Sequence, residues 1–237
     1  MVDIICGPDW DKRILTLNPK PKIGILMSSG MDSTIILKLM MYYFPSDVDI
    51  KLFNIKTGPN LVKPVINDLL DQLNCDLPLN IVGDKHWEIP MYNHHARLWK
   101  GFQEIRDEWD VDELYCGNIQ SPREEFFPTF DVHSPEFPKR PWLTRDPFLK
   151  NPMEHLEKYH VLDLARTHQI EKVIESTISC NTLELWHCGK CMGCKERAWA
   201  YNQLDEPDYT TLDDLINKAD YDLTHDDTKN HDKEFWK

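Results

Sequence analysis

The chain has 237 residues, and 41% of them are hydrophobic. That length suits one α/β domain with a small appendage and is enough to bury a sizeable core. Its 27 Lys and Arg residues against 40 Asp and Glu residues give a formal net charge of −13, which argues against a stable nucleic-acid partner and favours a small-molecule substrate.

Seven cysteines would suit a secreted disulfide scaffold, but the sequence has no signal-peptide pattern and no apolar run of membrane length. We therefore expect a cytoplasmic protein without a membrane partner. Residues 1–21 are predicted to add a strand at Asp3–Cys6 to an edge of the core, with a turn after it. Cys6 is interpreted as a small buried side chain rather than a reactive thiol.

The stretch Lys22–Thr34 predicts a buried strand, a tight polar turn and the start of a helix. The apolar run Ile23–Met27 is short and ends at two serines, as a central parallel strand does where a ligand lies at its carboxyl end. Beyond Ser33 apolar residues recur at helical spacing, and Asp32 or Ser33 is placed to cap the first turn. Because first-turn N–H groups lack helical partners and Gly30 lets the backbone approach closely, this turn is predicted to bind a phosphate.

Asp32 adds a negative charge to this turn. A carboxylate beside a polyphosphate repels it unless a divalent cation lies between them, so Asp32 predicts Mg²⁺ at this site. Asp32 and Ser33 are the candidate catalytic residues. The alternative is a serine-rich strand-to-helix turn that binds nothing.

The turn resembles the Ser-Gly-Gly-x-Asp-Ser motif of the PP-loop ATP pyrophosphatases, which split ATP into AMP and pyrophosphate. Ser28, Gly30, Asp32 and Ser33 match this motif, and Ser29 replaces its first glycine. The resemblance implies a nucleotide site that consists of Met27, Ser28, Ser29, Gly30, Met31, Asp32, Ser33, Thr34 and Gly117.

The elements that follow alternate between strand and helix. Strands are predicted at Val48–Ile55, Ile81–Val82 and Glu113–Gly117, and helices at Leu61–Leu73 and Ala96–Trp109. This alternation predicts an α/β fold with an open, doubly wound, mostly parallel sheet. The carboxyl ends of its strands should line one crevice.

Prolines interrupt residues 118–148 so often that a long loop is predicted there. Its aromatic residues favour an active-site lid or binding loop, because disordered segments are poor in them. An arm that contacts a second subunit is equally consistent with this composition, so a homodimer stays open.

Asn151 predicts the next helix, as an N-cap followed by Pro152 at the first helical position, and we expect this helix to run to Gln169. His155 and His160 are five residues apart and therefore do not share a helix face. They are interpreted as solvated side chains and not as a metal site.

Four cysteines lie within fifteen residues, at Cys180, Cys188, Cys191 and Cys194. Two successive C-x-x-C steps suit a carboxyl-terminal knuckle with tetrahedral Zn²⁺, and a closed four-thiolate site is structural rather than catalytic. Disulfides are disfavoured in the cytoplasm, and an iron–sulfur cluster usually has a different cysteine spacing. His187 is an alternative to one thiolate, although its position beside Cys188 makes joint ligation strained.

Together these motifs resemble the 7-cyano-7-deazaguanine synthase family of queuosine biosynthesis. The resemblance runs from about residue 22 to 201 and rests on the PP-loop, the strand end Tyr115–Gly117, the Asn151–Glu154 helix start and the cysteine segment with Arg197. It implies an ATP-dependent ligase that converts 7-carboxy-7-deazaguanine and ammonia to 7-cyano-7-deazaguanine through an adenylated carboxylate and an amide. Zn²⁺, Mg²⁺ and ATP are the implied cofactors and cosubstrate.

The predicted organisation has four parts: an extension, an ATP-binding domain, a zinc-binding segment, and an acidic helix and tail, at residues 1–21, 22–176, 177–201 and 202–237. In the region where the family carries Pro-Gly-Arg-Asn, this chain has Tyr92 in the place of the arginine. Tyr92 and Asn93 are the candidate substrate-binding residues. A carboxylate contact is then expected from one of four other arginines, which are Arg97, Arg123, Arg140 and Arg145.

Two other classes of function stay open. One is another PP-loop enzyme that thiolates tRNA, reduces sulfate, stops at the amide or adenylates a different acid; the acidic composition argues against RNA. The second is a nucleotide-binding or zinc-knuckle protein without catalysis.

Overall fold

The computed structural model describes residues 1–56, 62–83, 94–119, 146–180, 187, 189 and 192–206. The strands of this part of the chain are β1 (Val2–Cys6), β2 (Arg13–Leu17), β3 (Lys22–Leu26), β4 (Asp49–Ile55), β5 (Leu79–Val82), β6 (Glu113–Tyr115) and β7 (Leu149–Lys150). Its helices are α1 (Met31–Tyr43), α2 (Val62–Gln72), α3 (His94–Glu108), α4 (Lys158–Thr167), α5 (Glu171–Glu175) and α6 (Met192–Gln203).

Five strands form one parallel sheet in the order β5-β4-β3-β6-β7. Successive residues of β4 face opposite sides, so that Leu52 packs in one buried cluster with α1 and Phe53 packs in a second cluster with Ile105 of α3. A sheet that is covered on both faces has apolar central strands, and Ile23 and Ile25 of β3 are fully buried. The predicted α/β fold with a mostly parallel sheet is therefore confirmed.

The strand order creates a crevice at a defined position. From β3 the chain first adds β4 and β5 on one side and later adds β6 and β7 on the other. In open parallel sheets the ligand crevice lies at this reversal, outside the carboxyl ends of the two strands that flank it. The turn after β3 and the residues after β6 therefore share the expected binding edge.

The amino-terminal extension differs from the prediction. It forms an antiparallel hairpin of β1 and β2 that is separate from the main sheet and contacts α4, whereas we expected an edge strand. The backbone N–H of Gly7 donates to Asp163 of α4 at 2.8 Å. Cys6 is 1% exposed, as predicted, and burial raises the pKa of its thiol to about 12. The hairpin thus buries its apolar face against a helix.

The helix predicted at Asn151 begins later, at Lys158, with Glu157 as N-cap. The Asn151 side chain instead accepts the backbone N–H of Asn118 at 3.1 Å, while Glu157 and His160 form a reciprocal capping box. His160 is fully buried, so its interpretation as a solvated side chain was wrong.

Hydrogen bonds explain the burial of His160. Its Nδ1 accepts the Glu157 N–H at 3.1 Å, and its Nε2 lies 3.1 Å from the Asp11 carbonyl. Burial and the neighbouring Arg13 lower the pKa of His160 to about 4.

No helix among the described residues is both long and apolar enough to cross a membrane.

Candidate functional site

Ser33 organises the hydrogen bonds of the turn between β3 and α1. Its hydroxyl accepts the Ser28 N–H at 3.1 Å, and the two serine hydroxyl oxygens are 3.0 Å apart. The same hydroxyl lies 3.1 Å from the Gly30 carbonyl, and the side chain is 4% exposed. Ser33 therefore holds the turn closed, whereas Ser28 is exposed.

The first turn of α1 differs from the predicted capping. Gly30 is the N-cap residue, and no side chain caps the helix. Asp32 and Ser33 lie inside the helix, so neither is its cap. The hydroxyl of Thr34 donates to the Gly30 carbonyl at 3.0 Å. The first N–H groups of an α-helix have no partner within the helix, so those of α1 are candidates to bind an anion.

Gly117 lies two residues beyond β6 and packs against this first turn. A Cβ atom at Gly117 would lie 2.8 Å from the Asp32 carbonyl carbon and 2.9 Å from the Ser33 nitrogen. Such distances exclude any side chain at this position without a shift of the backbone. The strand end at Gly117 and the helix start at Asp32 therefore form one close-packed edge, as expected for residues that flank the reversal of strand order.

Lys158 is a site residue that the sequence prediction missed. Its ammonium donates to both carboxylate oxygens of Asp32, at 2.8 and 2.7 Å, and lies 3.6 Å from the carboxylate of Glu196. Its side chain is 5% exposed. Burial opposes the charge most strongly, but the two carboxylates outweigh burial, and the pKa of Lys158 is raised. Asp32 and Lys158 are 126 residues apart, so no local motif joins them.

The ion pair changes the charge argument for Mg²⁺. A carboxylate alone would repel a polyphosphate, but Lys158 already compensates the charge of Asp32. Glu196 adds a second carboxylate to the same ammonium. Two carboxylates against one ammonium retain oxygen ligands of the kind that a divalent cation prefers, so this donor set fits Mg²⁺.

The described part of the cysteine segment consists of Cys180, His187 and Cys194. Cys194 is 1% exposed and lies in the first turn of α6, with its sulfur 3.8 Å from Nδ1 of His187. Nε2 of His187 lies 3.1 Å from the Thr177 carbonyl. The predicted ligands Cys188 and Cys191 lie outside the described residues. Within those residues no three metal-ligating side chains cluster, and the predicted zinc knuckle stays a prediction.

The predicted substrate residues Tyr92 and Asn93 also lie outside the described residues. Arg97 is the one member of the four candidate arginines that the described ranges include. It is 4% exposed, and its guanidinium donates to the carbonyls of Lys56 and Gly83, just beyond β4 and β5. Arg97 is therefore a buried charge at the crevice edge of the sheet rather than a solvated one.

The sheet order reverses at a serine and glycine turn, and the helix after this turn carries the carboxylate of Asp32. These features define the class of protein as an α/β protein with a candidate ligand site at the reversal of its parallel sheet. The family model described as "Queuosine biosynthesis protein QueC" matches residues 139–205. The predicted resemblance to the queuosine-pathway family is thereby confirmed for residues 139–205, which are similar to this family model. It includes Lys158, Cys194 and Arg197, whereas the turn at Ser28–Thr34 lies before it.

Among solved structures, the chain is similar to the U34-tRNA thiolase NcsA from Methanococcus maripaludis with its [4Fe-4S] cluster. The two chains are 15% identical, the similarity covers 85% of this chain and 72% of the thiolase chain, and the TM-score is 0.43. The search of curated proteins finds no match. The fold assignment therefore rests on the strand order and the two-sided core of this chain.

Proposed function

We propose that the protein binds ATP at the turn formed by Ser28–Thr34 and uses it to activate a carboxylate. The observation that carries this proposal is the placement of Lys158 and Asp32 beside the first turn of α1, at the reversal of strand order. The N–H groups of that turn are suited to an anion, and the Lys158 ammonium compensates one of the two carboxylate charges that would otherwise repel it. The remaining negative charge favours a polyphosphate that binds together with Mg²⁺.

The QueC-like segment directs the choice of substrate towards 7-carboxy-7-deazaguanine. In the proposed reaction its carboxylate oxygen attacks the α-phosphorus of ATP, and pyrophosphate leaves. Ammonia then displaces AMP and loses a proton to give the amide. The amide oxygen attacks the α-phosphorus of a second ATP, and pyrophosphate leaves again. Elimination of AMP, which carries that oxygen away, with loss of the two amide protons gives the nitrile. The N–H groups at α1 would stabilise charge on the departing pyrophosphate.

Mg²⁺, when bound, would neutralise part of the phosphate charge, and Asp32 and Glu196 are the carboxylates available to hold it. Zn²⁺ is proposed for the thiolates of Cys180, Cys188, Cys191 and Cys194 in a structural role. The near contact between Cys194 and His187 is compatible with either a four-thiolate site or a site that uses the imidazole. Metal analysis after substitution of His187 would distinguish these two ligand sets.

The decisive experiment measures pyrophosphate release from ATP with 7-carboxy-7-deazaguanine and ammonium, and identifies the product by mass spectrometry. The nitrile is the expected product. Accumulation of the amide would show that the enzyme stops one step earlier. Activity with other acids alone would show that 7-carboxy-7-deazaguanine is not the substrate. Absence of pyrophosphate release, with ATP analogue binding intact, would indicate a binding protein and contradict the proposed catalysis.

Asp32→Asn tests the site itself, because it removes the charge and retains the shape of the side chain. We expect at least a roughly 100-fold loss of pyrophosphate release, comparable to losing a key electrostatic group. Asp110→Asn is the matched control, since Asp110 also pairs with a lysine, Lys22, at 2.7 Å but on the exposed surface. Equal activity of Asp32→Asn and the control would refute the site assignment.

A further inference from the structure

The peptide between Ser29 and Gly30 is held from both sides. The Ser29 carbonyl accepts the Ile178 N–H at 2.7 Å, and the Gly30 N–H donates to the Ser28 hydroxyl at 3.1 Å. This peptide directly precedes the first turn of α1. A rotation of this peptide would break both hydrogen bonds and displace the start of α1, whose first N–H groups are proposed to bind phosphate.

Thr177 fixes the position of Ile178. It is 1% exposed, and its hydroxyl donates to the Ile174 carbonyl at 2.6 Å while accepting Nη1 of Arg197 at 2.9 Å. Its carbonyl accepts the same Nη1 at 3.3 Å and lies 3.1 Å from Nε2 of His187. The hydroxyl and the carbonyl of Thr177 are therefore both held by hydrogen bonds to neighbouring segments.

Arg197 is the buried end of this network. It is fully buried on α6, and its Nη2 donates to the Ile174 carbonyl at 3.1 Å. The guanidinium carbon lies 5.5 Å from the centre of the Tyr201 ring. A guanidinium keeps its charge when buried and distributes donors in a fixed plane, so it can hold Thr177 and Ile174 at once, which a lysine ammonium cannot reproduce.

We infer that Arg197 and Thr177 are positioning residues for the nucleotide, which act through the Ile178 N–H on the Ser29–Gly30 peptide. The inference rests on the proposed function, because it takes the turn at Ser28–Thr34 as the ATP site. Helix α6 is thereby connected to that turn through Arg197, which lies three residues after Cys194 in the same helix. The network contacts the loop backbone and not the nucleotide, so its loss should weaken binding more than it changes the chemical step.

The test compares Thr177→Val with Thr177→Ser. Valine is close to threonine in shape but removes the hydroxyl that pairs with Arg197, whereas serine retains it. We expect Thr177→Val to raise the Kd of a non-hydrolysable ATP analogue about tenfold, the effect of losing one hydrogen bond to a charged group. The KM for ATP should rise by a similar factor with kcat nearly unchanged, and Thr177→Ser should restore the Kd to within about twofold of the original protein.

Ile66→Val, in the fully buried part of α2, controls for a general loss of stability. Unchanged analogue affinity in Thr177→Val, or an equal loss of affinity in Ile66→Val at matched thermal stability, would overturn the positioning role. Failure of the unsubstituted protein to bind the analogue would instead refute the proposed function on which the inference rests. Arg197→Lys gives a second measurement, and its expected result is the same increase in Kd with unchanged metal content.

Discussion

Gly117→Ala tests whether the contact between the end of β6 and the start of α1 shapes the nucleotide site. The added Cβ would lie 2.8 Å from the Asp32 carbonyl carbon and 2.9 Å from both the Asp32 Cβ and the Ser33 nitrogen, where ordinary contacts begin at 3.4 Å. None of these atoms is the end of a flexible side chain. The two segments would therefore have to separate by about half an ångström, and overpacking of this kind costs about 1–3 kcal/mol of stability.

A displacement of this size at the first turn of α1 moves the N–H groups that are proposed to bind the phosphate. We expect the affinity for a non-hydrolysable ATP analogue to fall about tenfold, since placement errors below 1 Å already weaken preorganised sites. Calorimetric titration measures the affinity, and urea unfolding measures the stability.

Gly24→Ala is the control for this prediction. A Cβ at Gly24 would lie 2.7 Å from a methyl group of Leu114 and 3.0 Å from the Phe53 ring. These side chains belong to the cluster that contains α3, on the face of the sheet opposite to α1. Gly24→Ala should therefore lose stability with little change in affinity. Full ATP affinity in Gly117→Ala, or the same loss of affinity in both variants, would refute the reasoning.

Two further predictions concern metal content and pH. Metal analysis should give about one zinc per chain, and Cys194→Ser should lower this zinc content and destabilise the carboxyl-terminal helices. Cys75→Ser, at another buried cysteine, is the control and should retain the metal. Unchanged zinc content in Cys194→Ser would exclude Cys194 as a ligand. The pKa of His160 is lowered from 6.5 in the unfolded chain to about 4 in the fold. The neutral imidazole therefore contributes stability that is fully present above pH 6.5 and is lost as the pH falls to 4. The free energy of unfolding should decrease by up to about 3 kcal/mol over this range. Urea unfolding between pH 7 and 4 should show this loss, and His160→Gln should flatten the pH dependence; an equally steep dependence in that variant would assign the effect to other groups.

The sequence predicted the elements whose patterns are local and periodic. The β3 strand, the α1 helix and the β4 strand have apolar repeats at the spacing of their own structure, and each lies within a few residues of its predicted range. The two-residue strand β7 was missed because a pair of residues carries no period. Its pairing with β6 depends on a neighbour that lies more than thirty residues earlier in the chain.

The errors at the site have the same origin in distant contacts. Asn151 has the chemistry of an N-cap, but the Asn118 backbone takes up its side-chain oxygen, and a glutamate caps the helix later. Lys158 looks like an ordinary helical lysine, and only the fold brings it to Asp32. The position of the turn could be predicted because it depends on consecutive residues, whereas its charge balance depends on α4 and α6.

The amino-terminal hairpin is synthesised well before the helix against which it packs. Arg13 of β2 pairs with Glu157 at 3.0 Å, a contact across 144 positions of the chain. At ribosomal rates of 5–20 residues per second, the hairpin is made roughly 7–30 s before its partner helix emerges. During this interval Ile4, Leu15 and Leu17, which are buried in the finished protein, have no helix to cover them. The nascent chain should therefore be a substrate for chaperones that bind exposed apolar strands, and this requirement should end when α4 leaves the ribosome.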